Sequence, residues 1–243
     1  MSDLLSQGVL YLVPVPIGNK NIEGCIPIGV KNIVSNLQNF IVEHPKTARH
    51  FLKQIDTKLP LQSLAMETLN EHTSSDTLEN LLRPLLQGKD VGLMSEAGCP
   101  GVADPGANLI ALAHKKGIQV IPLVGPSSIL LALMASGLNG QRFAFHGYLP
   151  ADKPSRLKKI VELEKESALK GQTQIFIETP YRNPALLNDL VNTLNASTQL
   201  CLAVDLMCDT EKILTREVED WKKSLPDVNK RLAIFLFLAR SKK

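Results

Sequence analysis

Residues 92–106 read Gly-Leu-Met-Ser-Glu-Ala-Gly-Cys-Pro-Gly-Val-Ala-Asp-Pro-Gly, and this stretch decides the fold. The apolar residues Val91, Leu93 and Met94 predict a short buried strand, and a helical pattern begins at Ala107. Between strand and helix, glycines permit positive φ and prolines stiffen the loop. Open α/β sheets bind ligands at such loops, outside the carboxyl ends of the strands. A sharp strand-to-helix turn without a ligand is the alternative interpretation of this stretch alone.

The same arrangement recurs along the chain. An apolar strand at residues 118–124 is followed by Gly125-Pro126-Ser127-Ser128 and a helix over residues 129–136. Hydroxyls and N–H groups at a helix start suit a carboxylate or phosphate, although an ordinary helix cap is the alternative. Similar loops follow predicted strands at residues 14–19 and 178–182. If these loops converge, they line one cleft for a ligand with an apolar and a charged end.

Strands that alternate with helices predict an α/β protein with a mostly parallel sheet. Hairpin-like spacing between residues 200 and 239 favours antiparallel pairing in the second half. We place a domain boundary near residues 122–124, which gives an N-terminal α/β domain (1–122) and a C-terminal α/β domain with a mixed sheet (123–243).

Three further helical segments are predicted. The pattern predicts one helix over residues 76–87, capped by Ser75 or Asp76. A charged helix is predicted over residues 156–169, and residues 215–221 are interpreted as a short helix or a turn.

The charge is uneven between the two halves. Residues 1–122 hold 10 Lys and Arg against 11 Asp and Glu, whereas residues 123–243 hold 17 against 13. This excess hints at an anionic partner but is far below that of a dedicated nucleic-acid domain. The four cysteines lack CxxC spacing, which favours reduced thiols in a cytosolic protein. Residues 1–7 show no signal-peptide pattern, and Gly-Pro-Ser-Ser interrupts the longest apolar span, so we expect a soluble protein without a membrane segment.

Several common site motifs are absent from the sequence. It contains no GxGxxG, no GxxxxGK, no HExxH and no GxSxG. The five histidines lack ligand spacing, and no metal site is expected.

Four blocks of sequence together carry a resemblance to a known family. They are Val13-Pro14-Val15-Pro16-Ile17-Gly18-Asn19, residues 95–106, residues 122–137, and Glu178-Thr179-Pro180-Tyr181-Arg182. In order and spacing they resemble the tetrapyrrole-methylase superfamily, and most of all its ribosomal RNA small-subunit methyltransferases, which modify a cytidine ribose 2′-hydroxyl. The resemblance runs from about residue 10 to residue 239. It implies two α/β domains with S-adenosylmethionine folded into the cleft between them, and usually a homodimer.

The resemblance also implies which residues contact the cofactor. Some act through backbone groups of the Gly98 loop, and others come from the first loop, the Ser127 loop and the second domain. They are Pro16, Ile17, Gly18, Gly98, Cys99, Pro100, Val102, Ser127, Ser128 and Thr179. We interpret Cys99 as a packing residue rather than a nucleophile.

The chain departs from the family pattern in several places, and two of these involve candidate site residues. The family usually reads Ser-Asp-Ala-Gly-Thr-Pro-Gly, where this chain has Glu96 and Cys99. The family's Glu-Asp-Thr-Arg corresponds to Glu43-His44-Pro45-Lys46-Thr47 here.

Transfer of a methyl group to a ribose hydroxyl requires in-line alignment and a group that accepts the hydroxyl proton. Carboxylates at predicted strand ends are Glu43, Glu96, Asp104 and Glu178. Glu43 matches a family position and is the first catalytic candidate, with Glu96 the second. Each carboxylate alternatively caps a helix or orients a loop.

Four basic residues are candidates for phosphate contacts: Arg156, Lys158, Lys159 and Arg182. Residues 156–170 alternate in charge sign, however, which is typical of a solvated helix face.

The leading hypothesis is a cytoplasmic, homodimeric S-adenosylmethionine-dependent methyltransferase whose partner is ribosomal RNA or the small ribosomal subunit. The first alternative is a methyltransferase for a small molecule such as a tetrapyrrole. The second is a catalytically silent S-adenosylmethionine-binding protein, which the altered residues 43–45 would fit.

Overall fold

The computed structural model describes residues 7–18 and 22–240. The expected loop residue Asn19 and most of the segment 1–7 lie outside these ranges. The chain divides into two units, Met1–Ser127 and Ser128–Lys243. Each contains one five-stranded sheet with helices, which confirms the prediction of two α/β domains.

The division falls a few residues after the boundary expected at residue 122. The backbone N–H of Leu123 donates to the carbonyl of Leu12 at 3.0 Å, which ties the segment after residue 122 to the first sheet. The Cys99 thiol donates to the Pro126 carbonyl in the same unit. These contacts explain why residues 123–127 group with the first unit.

The sheet of the first unit is entirely parallel, which agrees with the prediction of a mostly parallel sheet. Its spatial order is β3-β2-β4-β1-β5. The strands are β1 (Leu10–Leu12), β2 (Asn39–Val42), β3 (Ala65–Thr68), β4 (Val91–Met94) and β5 (Val120–Pro122).

Helices cover both faces of this sheet. One core cluster joins α1 (Ile28–Val34) and α2 (Pro45–Ile55) to the sheet. The other cluster joins α3 (Ser75–Leu81), α4 (Arg83–Leu86) and α5 (Gly106–Lys115). The chain leaves β1 toward β2 and leaves β4 toward β5, which lie on opposite sides. Right-handed crossovers then place the connecting helices on opposite faces, so the neighbours β1 and β4 form a topological switch point.

The predicted single helix over residues 76–87 is wrong. Two helices occur there, because Pro84 lies in the first turn of α4 and has no N–H to continue the hydrogen bonds of α3. The predicted caps are also wrong: the cap of α3 is Ser74, whose hydroxyl accepts from the N–H of Thr77 at 3.4 Å.

The sheet of the second unit is mixed, as predicted. Its order is β6-β7-β10-β8-β9; β6 and β7 are parallel, and the remaining pairs are antiparallel. The strands are β6 (Phe143–Tyr148), β7 (Thr173–Ile177), β8 (Gln199–Val204), β9 (Lys212–Glu217) and β10 (Ala233–Leu238).

The interpretation of residues 215–221 as a short helix or turn is wrong in its first half. Residues through Glu217 belong to β9, where Thr215 pairs with Cys201 and Leu214 with Leu202 of β8. Only the following residues form the short helix α9 (Val218–Trp221).

Three longer helices complete the second unit: α6 (Ser128–Ser136), α7 (Lys153–Lys170) and α8 (Asn183–Thr193). Helix α7 begins earlier than predicted because Asp152 caps it, accepting from the N–H of Ser155 at 3.0 Å. It ends at Gly171, whose φ is +58°. Within the described part of the chain, no helix combines the length and the apolar character needed to span a membrane.

Candidate functional site

The loops that follow β1 and β4 are joined at the switch point. Val15 and Gly98 exchange two backbone hydrogen bonds, with N···O distances of 2.9 and 3.1 Å. The sequence could not show this pairing, because it joins residues from distant parts of the chain. It places the first and second predicted loops against one another at the sheet edge where α/β folds bind ligands.

A third loop, which follows β5, meets the same point. The Cys99 thiol donates to the carbonyl of Pro126 at 3.3 Å. Gly98 is buried with φ +74°, and a Cβ built on it would lie 3.5 Å from the Pro126 oxygen and 3.6 Å from Cγ2 of Ile17. The three loops of the first unit therefore converge on Gly98. We call this contact region the Gly98 junction.

The approach of the β5 loop to the β1 loop requires glycine at a second position. A Cβ on Gly125 would lie 2.3 Å from Cβ and Cγ of Pro14. No side chain fits in that space, so the backbone of Gly125 packs directly against the ring of Pro14.

Asp104 holds the Gly/Pro loop in shape. Both of its carboxylate oxygens accept from the N–H of Gly101 at 2.9 Å, and Oδ1 also accepts from the N–H of Gly106 at 2.7 Å. Burial raises the pKa of Asp104, although both backbone hydrogen bonds oppose the rise. Asp104, one of the four carboxylates considered from sequence, thus orients the Gly/Pro loop.

The two predicted catalytic residues, Glu43 and Glu96, lie together. The backbone N–H of Glu96 donates to Oε2 of Glu43 at 3.3 Å. Glu43 also borders a small hollow whose other lining residues are Leu69, Leu93, Met94, Ser95, Pro100, Asp104, Pro105 and Gly106.

The surroundings of Glu43 favour its protonated form. Burial raises its pKa; the hydrogen bond from Glu96 opposes this, and the charges of Glu96, Asp104 and Glu71 add to the rise. A partly buried carboxyl group with a raised pKa, beside a binding loop, is a candidate proton acceptor.

The remaining predicted cofactor residues of the first unit belong to the three loops that meet at the Gly98 junction, and they differ in solvent exposure. Ile17 and Pro100 are buried, Pro16, Gly18, Cys99 and Ser127 are half-buried, and Val102 is 49% exposed. Burial raises the pKa of the Cys99 thiol. A protonated thiol that donates to a carbonyl agrees with the packing interpretation of Cys99.

Two predicted cofactor residues belong to the second unit. Ser128 is the first residue of α6, and Thr179 follows β7 and is exposed. The buried Glu178 carboxylate accepts from the Thr179 N–H at 2.6 Å and from Nη2 of Arg182 at 2.7 Å. Glu178 therefore fixes the loop after β7, which leaves it poorly suited to act as a base.

Both interpretations of Arg156, as a phosphate contact and as part of a solvated face, are wrong. Arg156 is buried, and its Nε and Nη2 donate to Oδ2 of Asp189 at 2.9 and 2.7 Å. Its Nη1 donates to the carbonyls of Pro150 and Ala151. Lys158, by contrast, is exposed on α7.

No metal centre is evident in residues 7–18 and 22–240, where no group of three or more His, Cys, Asp or Glu side chains could hold an ion.

Several curated proteins are similar to this chain over most of its length. A protein of Vibrio cholerae is 32% identical over 205 residues, which are 84% of this chain and 67% of the relative. One of Escherichia coli O157:H7 is 34% identical over 86% of this chain and 68% of the relative. One of Xylella fastidiosa is 30% identical over 97% and 82%, respectively. Each is named ribosomal RNA small subunit methyltransferase I.

Among solved structures, that of the methyltransferase CobJ matches the fold. The TM-score is 0.65 with 16% sequence identity, over 96% of this chain and 94% of the other. No protein-family model matches the chain.

Proposed function

This chain belongs to the ribosomal RNA small subunit methyltransferase I family, and from that premise we propose that it methylates the ribose 2′-hydroxyl of a cytidine in small-subunit ribosomal RNA. The methyl donor in this proposal is S-adenosylmethionine. The observation that supports it most is the Gly98 junction, where three loops converge at the switch point of a parallel sheet. The relatives' names favour RNA over a tetrapyrrole as the acceptor.

The residues at the Gly98 junction fit this cofactor. The carbonyl oxygen of Pro126 and Cγ2 of Ile17 lie 3.5 and 3.6 Å from the position that a Cβ on Gly98 would take, so both loops lie beside Gly98. The exposed Val102 and the half-buried Pro16 offer apolar surface, while Ser127 offers a hydroxyl. A nucleoside joined to an amino acid needs this combination of apolar faces and polar groups.

When bound, S-adenosylmethionine supplies an electrophilic methyl group on a sulfonium sulfur. The chain's task is to hold donor and acceptor in line, because alignment provides most of the rate enhancement in such a displacement. We assign donor binding to the ten residues that the resemblance implies: Pro16, Ile17, Gly18, Gly98, Cys99, Pro100, Val102, Ser127, Ser128 and Thr179.

Glu43 is the residue that we propose accepts the hydroxyl proton. Its raised pKa makes it a better proton acceptor than an ordinary surface carboxylate. The N–H of Glu96 holds Oε2 in place, and the charge of Glu96 contributes to the raised pKa. Glu96 is thus proposed to support Glu43, and its own carboxylate is the second candidate for the proton acceptor.

We further propose that the protein acts as a homodimer in the cytoplasm, where ribosomal RNA is modified. Helix α6 supports self-association, since Leu130 is 50% exposed and Met134, one turn later, is 79% exposed. Apolar side chains grouped on one exposed helix face are typical of an interface.

Incorporation of labelled methyl groups tests the proposal. Purified small ribosomal subunits that lack the modification are incubated with the full chain and labelled S-adenosylmethionine. We expect label in the RNA, resistant to alkaline hydrolysis at one cytidine because a 2′-O-methyl group blocks cleavage there. Binding of the cofactor without transfer to the subunits would contradict the proposal.

A further inference from the structure

Two exposed tyrosines follow neighbouring strands of the second unit. Tyr148 ends β6 and is 57% exposed, and Tyr181 lies just after β7 and is 75% exposed. Tyr148 pairs in register with Ile177, so both side chains belong to the carboxyl ends of two parallel strands. Large aromatic rings that stay exposed at such a position are candidates for ligand contact.

A lysine is held beside one of these rings. The Lys230 Nζ lies 5.9 Å from the centroid of the Tyr181 ring. The Lys230 backbone has φ +58°, and its N–H donates to the Pro180 carbonyl at 3.1 Å. In the part of the chain that the structure describes, no carboxylate lies within ion-pair distance of Lys230. The Lys230 ammonium therefore lies beside an exposed ring, within cation–π distance and without a described carboxylate partner.

Arg182 directly follows Tyr181 in the chain. Its Nη2 donates to Glu178, whereas its Nε is buried without a hydrogen-bond partner among the described residues. The hydrogen bond to Glu178 raises the pKa of Arg182, and Tyr148 is close enough to add to that rise. A buried donor that the protein leaves unused calls for an explanation, and a bound ligand or water provides one.

We propose, on the basis of the RNA methyltransferase function above, that Tyr148, Tyr181, Arg182 and Lys230 bind single-stranded RNA next to the nucleotide to be methylated. We call these four residues the Tyr181 surface. Exposed aromatic rings stack on unpaired bases of any sequence, and a neighbouring cation contacts the phosphates. Paired RNA does not offer its base faces, so the surface suits a loop or an unpaired strand. Tyr181 lies two residues after Thr179, a residue that we propose contacts the cofactor.

Substitutions at Tyr181 test the stacking. The probe is a labelled single-stranded oligoribonucleotide, whose Kd is measured by fluorescence anisotropy. Loss of one base–aromatic stack should raise the Kd roughly 5- to 150-fold for Tyr181→Ala. Tyr181→Phe keeps the ring and should stay within about twofold of the parent chain. Leu169→Ala, which removes another highly exposed side chain, is the matched control and should change nothing.

Substitution at Lys230 tests the phosphate contact. Lys230→Gln should weaken RNA binding and lower the slope of log Kd against log salt concentration by about 0.7, the effect of one contact to a single strand. Lys223→Gln removes an exposed lysine already paired with Asp220 and should leave the slope unchanged. A purely structural role of Lys230 would not alter the slope.

Three results would overturn the proposal. The first is a parent chain that does not bind the oligoribonucleotide. The second is an unchanged Kd in Tyr181→Ala, confirmed by an unchanged KM for ribosomal subunits. The third is dissociation of an oligomer in sedimentation with RNA affinity retained, which would make this surface a contact between copies of the chain.

Failure of the proposed function gives a different pattern. RNA binding that depends on Tyr181, together with no methyl transfer by the parent chain, would leave the surface standing and reject the reaction. Methyl transfer that is insensitive to Tyr181→Ala would support the reaction and reject the role of the Tyr181 surface. Calorimetry with S-adenosylmethionine is expected to give equal cofactor affinity for the parent chain and all five variants.

Discussion

Gly98 matters because it lets three loops meet without a side chain between them. Its φ of +74° lies in the left-handed region, where a β-branched residue is strained by about 1–2 kcal/mol or more. Its neighbours at the position of a Cβ are a carbonyl oxygen and a methyl group at contact distance. A Cβ alone would fit at these distances, so a larger residue is disfavoured by the positive φ and by the atoms that it adds beyond the Cβ.

We expect Gly98→Val to lower S-adenosylmethionine affinity by at least about 100-fold, because the displaced loops no longer shape the cofactor site. Isothermal calorimetry measures this. Gly137→Val is the matched control: Gly137 also has positive φ, at +69°, but nothing lies within 4 Å of its Cβ position. Equal affinity in the Gly98 variant and the parent chain would show that this loop does not contact the cofactor.

Glu43 couples the reaction to pH. Because its pKa is raised in the folded protein, the folded state holds this proton more tightly than the unfolded state does. Ionisation of Glu43 therefore lowers the free energy of unfolding as the pH rises from the ordinary pKa of a glutamate through the raised pKa. Glutamine cannot ionise, and its side-chain oxygen can still accept from the Glu96 N–H.

For Glu43→Gln we expect methyl transfer to fall by about 100-fold or more with cofactor affinity unchanged. The unfolding free energy of this variant relative to the parent chain should be higher at pH 7 than at pH 4. Denaturant unfolding at the two pH values measures the difference. Glu71→Gln removes an exposed neighbouring charge and should keep its activity; a relative stability that falls with pH in Glu43→Gln would contradict the assignment.

At the scale of elements, a buried ion pair joins α7 to α8. Arg156 and Asp189 are both nearly inaccessible to solvent, and Arg156 also donates to two carbonyls just before α7. Removing one partner of such a pair leaves the other charge buried, which typically destabilises a protein by about 3–5 kcal/mol. The Nζ of Lys153 lies 3.6 Å from Oδ1 of Asp189, so Lys153 would balance part of the Asp189 charge in the absence of Arg156.

We expect Arg156→Met to destabilise the second unit by about 3 kcal/mol, and Arg156→Met/Asp189→Leu to recover much of that loss. The single tryptophan, Trp221, is buried in this unit, so its fluorescence in urea follows the transition. Lys158→Ala, an exposed neighbour, should stay within about 0.5 kcal/mol of the parent chain. A stable Arg156→Met variant would show that the pair contributes little.

The elements that sequence predicts well are those governed by local chemistry. The apolar run before Ser95 and the glycines and prolines after it are readable because each acts within a few residues. Pro84 also acts locally, and its missing N–H was a readable signal that the long helix must break. By contrast, β9 exists because Leu214 pairs with Leu202, which a single stretch of sequence does not reveal.

The candidate site likewise has features that local sequence predicts and features that depend on long-range contacts. The loop motifs identify the Gly98 region by resemblance, but the contact between Glu96 and Glu43 crosses 53 positions of the chain. Arg156 shows the opposite failure: its charged neighbours suggested a solvated face, while its partner Asp189 lies 33 positions away. Long-range pairing decides whether a charge is exposed, and charge pattern alone does not encode it.

At the scale of the whole molecule, the residues assigned to the cofactor belong to both units. Gly98 to Pro100 lie in Met1–Ser127, and Thr179 lies in Ser128–Lys243. If each unit contributes contacts, binding must reduce local opening in both.

We therefore expect saturating S-adenosylmethionine to slow amide hydrogen exchange in two separate segments, residues 95–106 and 177–182. Exchange followed by mass spectrometry resolves them. Residues 39–42, in the interior of the first sheet, serve as an internal reference and should not change. Protection confined to the first segment would exclude Thr179 from the cofactor contacts.

The placement of β10 has a consequence for biosynthesis. This strand pairs on one side with β7 and on the other with β8, although it follows both in the chain. During translation, β7 and β8 leave the ribosome before β10, the strand that separates them in the finished sheet. The edge of each strand that later pairs with β10 therefore stays unpaired until residue 238 has left the exit tunnel. A message truncated upstream of codon 233 would thus yield a nascent chain whose first sheet can form while its second remains open to misassembly.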